Sequence, residues 1–139
     1  MHESVAAADR VRRIVGKRRL YKEGAKRGAI DPCFPSKVGI PHVHHLLHTV
    51  HPKTTLDVVF FPMIDSLPTY LVNTQSSRAC PTVTATPASV KAAFTKEGDM
   101  FQEKGLLWKD TLICLDDPKM AHRQMFEDWQ EVLGLSEEE

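Results

Sequence analysis

The run TLDVVFFPMI, residues 55–64, constrains this chain more than any other stretch. Its residues are apolar almost without interruption and include β-branched and aromatic types. A strand with one wet face would alternate apolar and polar residues, whereas one buried on both faces reads as a continuous apolar run. The run therefore predicts a parallel strand covered by helices on both sides, ended by Pro62. LLWKDTLICL, residues 106–115, predicts a second such strand with a loop inside it, and TVTATP, residues 82–87, a short third one.

Helical segments fall between these runs. Pro41 suits the first turn of a helix from His42 to Val50, and Thr86 with Pro87 suits the start of one reaching about Glu103, interrupted near Gly98. Asp117 is placed to cap a last helix from Pro118 to Leu133, with Gly134 as its stop. Strands alternating with helices predict an α/β lobe with a small, mostly parallel sheet. The 139 residues suffice for one ordinary core, and three short strands read as part of a larger protein. The lobe is expected to span residues 29–139.

Residues 1–28 are expected to form a separate basic, partly helical arm. Arg10, Arg12, Arg13, Lys17, Arg18, Arg19, Lys22, Lys26 and Arg27 stand there against one acid, Glu23, between residues 10 and 27. No aromatic or glycine-rich recognition pattern is interleaved with them, so a solvated helix is expected rather than a nucleic-acid contact. No apolar run is long enough to span a bilayer and no secretory leader opens the chain, so the expected location is cytoplasmic, without membrane contact. Reduced thiols follow, and Cys33, Cys80 and Cys114 form an odd set with no CxxC pair.

Two of these cysteines lie beside proline, in PCFP and ACP. The segment AIDPCFPSKVGIP carries Pro32, Pro35 and Pro41 and is expected to be an ordered loop. Proline fixes the local backbone and removes a competing amide hydrogen, so Cys33 and Cys80 can point outward as ligands; an inert buried thiol is the plain alternative. Cys114, inside TLICL, is expected in the core. Lys37, four residues after Cys33, and Arg78, two before Cys80, could meet an anionic cofactor or depress a thiol pKa. Asp65, Asn73 and Gln75 add polar groups in the long loop before Cys80.

His44 and His48, or His45 and His48, fall on one helix face at a spacing one zinc ion could bridge, with Cys33 as a further ligand, yet no HExxH pattern accompanies them. Helix surface is the plainer reading, with His42 at the expected helix start as the site candidate and neutral there. Glycine-rich nucleotide loops and a GxSxG elbow are both lacking.

The segments KEGAKRGAIDPCFPSKVGIPHVHHLL and LDVVFFPMIDSLPTYLVNTQSSRACPTVTATP resemble the CoA-substrate-specific enzyme activases, or activators of 2-hydroxyglutaryl-CoA dehydratase, in their dehydratase-component-like region. The resemblance runs from about Lys22 to the C-terminus. It implies a Rossmann-like three-layer lobe related to subunits of 2-hydroxyacyl-CoA dehydratases and benzoyl-CoA reductases, which hold an iron–sulfur cluster by cysteine. It implies that Cys33 and Cys80 ligate a 4Fe-4S cluster, with Lys37, His42 and Arg78 lining the site, in low-potential electron transfer. Met63 stands where some relatives have cysteine, so the ligand set is expected to be incomplete. The family's ATPase module is missing from this chain, so the implied partner is another protein chain supplying that module or further ligands; self-association is a further option. A cluster-free assembly domain and a zinc domain are the alternatives.

Overall fold

In a computed structural model, residues 33–74 and 77–136 are described, and they form an α/β arrangement. The expected arm over residues 1–28 and the polar Gln75 lie outside them. Helix α1 spans Phe34–His45 and runs on into a π-helical turn, Leu46–Val50. Strands β1, Val58–Phe60, and β2, Met63–Ser66, follow. Then come the short α2, Pro81–Thr84, α3, Thr86–Thr95, and α4, Met100–Glu103. Strands β3, Leu107–Lys109, and β4, Leu112–Cys114, precede the last helix α5, Pro118–Leu133.

Each long apolar run is thus two strands. β1 pairs in parallel with β3, Val59 opposite Trp108, and β2 with β4, Ile64 opposite Ile113. The break falls at Pro62, which has no amide hydrogen to give a ladder. Phe61 N–H to the Lys109 carbonyl, 2.8 Å, and Met63 N–H to the Thr111 carbonyl, 2.9 Å, carry the pairing across it. Side chains then alternate between two helical layers. Val59 is in the core and Phe61 packs against it, on the side of α1 and α3, while Phe60 meets Trp129 of α5 edge-on at 5.1 Å between ring centroids.

Two expectations fail here for related reasons. The proline-rich segment from Cys33 is helix, not loop, because Pro35 falls in the first turn, where a missing amide hydrogen costs nothing. Pro41 lies inside α1, not at a helix start, and its ring removes one helical hydrogen bond. Burial of Val43 and Leu47 against Val90 and Phe94 offsets that cost. TVTATP is not a strand either: Pro81 and Pro87 each take first-turn positions of successive helices. Thr86 Oγ1 donates to the Thr82 carbonyl at 2.8 Å, and Thr84 Oγ1 to the Ile64 carbonyl at 2.8 Å, so the threonines bind carbonyls of a neighbouring turn and strand. The helix expected to reach Glu103 with an interruption near Gly98 is found so, as α3 ending at Thr95 and α4 restarting after the Asp99 cap.

Gly39 sets how closely α1 approaches α3. A Cβ there would lie 3.0 Å from Val90 Cγ2, 3.2 Å from Thr86 Cγ2 and 3.4 Å from Phe61 Cε1. Val90 and Thr86 are buried and have little room to yield. Gly39→Val should cost about 1–3 kcal/mol by overpacking, read as a lower urea midpoint with an unchanged slope; an unshifted midpoint would show that the two helices separate freely.

Candidate functional site

The carboxyl ends of parallel strands gather loops at one edge, the usual place for ligands in α/β sheets. Here that edge is formed by the ends of β2 and β4. Asp65, near the end of β2, is its organising residue. Its carbonyl accepts from Ala79 N–H at 2.7 Å, and its carboxylate is ion-paired with Arg78. Ser66 forms an antiparallel bridge with Arg78, and its hydroxyl donates to Asp116. The chain beyond Ser66 therefore returns to the strand it left and delivers Arg78 and Cys80 to the same edge.

Cys80 is exposed and caps α2, with Pro81 following as a first-turn residue. The backbone amide of Val83 and then that of Thr82 hold its thiol pKa below the ordinary 9.0. Main-chain amide dipoles near sulfur favour the thiolate, the form that attacks electrophiles and binds metals. Alkylation of Cys80 by iodoacetamide should accordingly rise with pH about a midpoint below 9.0. Peptide mapping of the labelled protein would check this, and a midpoint above that value would contradict a thiolate favoured by the first turn of α2.

Cys33 is half-buried and caps α1, and its carbonyl accepts from Lys37 N–H at 2.9 Å. The helices that Cys33 and Cys80 cap, α1 and α2, pack against each other. Lys37 stands one turn along α1 from Cys33. His42 stands nine residues along, about 13 Å at 1.5 Å per residue, so it belongs to a different stretch of the helix from Cys33. It lies in the last turn of α1 rather than at a helix start. Burial, not a helix N-terminus, lowers its pKa, and its Nε2 is buried without a partner among the described residues.

Cys114 is not a core residue. It is half-buried at the end of β4, where its thiol donates to Asp65 Oδ2 at 3.7 Å and accepts from Gln124 Nε2 at 3.7 Å. Gln124 Oε1 also accepts from Cys114 N–H at 2.9 Å, closing the strand's outer side. Asp65, Gln124 and Asp116 thus join the edge through partners far away in sequence. The one local sign was position: a cysteine at the end of an apolar run, just before the acidic pair Asp116 and Asp117, sits where a strand ends.

The rings of His44 and His48 lie with centroids 4.4 Å apart, tilted by 33° to each other. Among the described residues no three His, Cys, Asp or Glu side chains converge closely enough to hold a metal ion. Also among them, no helix is long and apolar enough to cross a membrane.

The family model described as "CoA enzyme activase uncharacterised domain" matches residues 15–139. No curated protein and no solved structure matches the chain.

Proposed function

We propose, for a chain that belongs to the family of the CoA enzyme activase uncharacterised domain, that the strand-end edge contributes thiolates to an iron–sulfur site shared with another chain. The site would be of the 4Fe-4S type, in an assembly moving low-potential electrons toward acyl-CoA dehydration or reduction. The supporting observation is Cys80: an exposed thiol whose pKa is lowered by two backbone amides, delivered to the strand ends by the Asp65–Arg78 pair. Thiolate donors suit iron–sulfur ligation, and hydrogen bonds to sulfur tune such a centre's potential.

The donors fit in kind but not in number. Cys33 and Cys80 are two thiols on neighbouring helix caps, Met63 offers no thiolate, and no third donor joins them among the described residues. The remaining ligands would come from a partner, the chain carrying the ATPase module being the candidate. When bound, the cluster would supply one-electron transfer. The chain's own share is to favour the Cys80 thiolate, to hold Arg78 two residues before it on the same edge and to keep Lys37 one turn from Cys33.

Anaerobic reconstitution of the full chain with iron and sulfide is expected to give a visible chromophore. Cys80→Ser and Cys33→Ser should each lower bound iron by at least about half, since each removes one of two thiolates. A wild-type protein that takes up no iron overturns the reading. Elemental analysis of the same sample separates iron from zinc at the histidines.

A second reading, a cluster-free assembly domain, is favoured by one observation: the apolar residues of the loop after β2 are exposed.

A further inference from the structure

The loop leaving β2 carries Leu67, Tyr70, Leu71 and Val72 at 50%, 99%, 73% and 87% exposure. Apolar residues scattered singly on a surface need no explanation, but four within six residues form a patch. The loop is held in place at its neck. Ser66 bridges Arg78, Arg78 pairs with Asp65, and Leu67 N–H donates to the Ser77 carbonyl at 3.2 Å. Its tip is also tied. Leu71 N–H donates to Thr69 Oγ1 at 3.2 Å, Thr74 Oγ1 to the Leu71 carbonyl at 3.1 Å, and Asn73 takes the left-handed φ of 64° that closes the turn. The apolar side chains therefore project from a pinned loop at the strand-end edge.

We infer that Leu67–Val72 is a docking loop that inserts into an apolar, uncharged pocket on a partner protein chain. Charge argues for a protein rather than a lipid surface. Residues 66–77 contain no Lys, Arg, Asp or Glu, and the cation at the neck, Arg78, is paired with Asp65. Segments that lie on membranes rely on cations to meet anionic headgroups, and none is offered here.

Size argues against a symmetric pair of copies meeting loop to loop. The four side chains expose about 500 Å², short of the roughly 800 Å² per partner that a stable interface takes. Set into a concave surface, the same loop becomes the buried centre of a larger contact, with Tyr70 as an aromatic anchor of the kind that dominates interface energetics. The edge around Arg78 and Cys80 would form the rim. Such a partner would be seated against the Cys80 thiol, yet the docking does not depend on a metal being bound there.

The test places a benzophenone amino acid at position 70 of the full chain in its native cells, with position 96 as an exposed control. The cross-linked protein is identified by mass spectrometry and purified, and its affinity is measured for the wild type and for Leu71→Ser/Val72→Ser. The expected result is cross-linking at 70 and not at 96, with affinity at least about tenfold lower for the variant, whose melting temperature is unchanged because both residues are exposed. No cross-link at 70 above the control, or equal affinities, overturns the inference. So does wild-type binding to phosphatidylcholine or phosphatidylglycerol vesicles that the variant loses. A concentration-dependent dimer abolished by the variant in sedimentation overturns it too.

Discussion

Replacing Phe94 by alanine is expected to remove about 3–5 kcal/mol of folding free energy, the largest loss from any single change considered. Phe94 is among the largest fully buried side chains. Its ring centroid lies 6.0 Å from that of Phe101, which in turn lies 4.6 Å from that of Trp108. This aromatic chain joins α3, α4 and β3 in one core with Val43 of α1 and Leu47 of the π-helical turn that follows it. An alanine at 94 leaves a void bounded by three elements, none of which can close on it without breaking its own contacts. Domains of this size have only about 5–15 kcal/mol in total, so the variant should sit near its unfolding threshold. Urea unfolding at equilibrium checks this. Phe94→Leu, which keeps most of the volume, should lose much less, and equal losses for the two variants would show that the cavity is not the cause.

The elements legible in the sequence were those whose signals are local. Helix α5 begins after Asp117, whose side chain accepts from Lys119 N–H and Met120 N–H, and ends at Gly134 with a φ of 65°. Each of these is a single-residue signature read without reference to the rest of the chain. The apolar runs announced parallel strands, and a loop inside the second run, but not that the first would resume after Pro62, since that break matters only once the partner strand is known. Prolines misled where position decides meaning. Pro35 is harmless in a first turn, and Pro41 is tolerated inside α1 because Val43 and Leu47 are held in the core.

The candidate edge divides along the same line. Arg78 and Cys80 stand two residues apart, and their neighbourhood could be read directly. Cys114 and Asp65 are 49 residues apart and meet only because β2 and β4 pair in parallel and end together. No local pattern encodes that meeting. Nor does composition show that the loop over Leu67–Val72 keeps its apolar side chains outside, because the same residues in another loop would turn inward.

Asp128→Ala is expected to cost about 2–3 kcal/mol, although the residue is only half-buried. Lys109 Nζ donates to both the Asp128 carbonyl, at 2.6 Å, and Oδ1, at 2.8 Å, and the Thr111 hydroxyl donates to Oδ2. These bonds fix α5 to β3 and to the turn before β4, beside Trp129, whose ring lies 5.9 Å from the same ammonium. Removing the carboxylate leaves a largely buried lysine charge and a buried Thr111 hydroxyl without that partner. Burial works to raise the Asp128 pKa, but hydrogen bonds from Lys109 and Thr111, with the lysine's charge, bring it below the ordinary 3.8. A carboxylate depressed on folding contributes stability that is complete above its unfolded pKa and is lost as pH falls through the folded value. Wild-type stability should therefore hold down to about pH 4 and fall below it, while Asp128→Asn, starting lower, should lose less over the same acid range. Urea midpoints of the two proteins from pH 6 to pH 2 give the comparison. Parallel curves would mean that the Lys109–Asp128 pair does not carry the acid sensitivity, and that α5 is held to the sheet mainly by the Phe60–Trp129 contact.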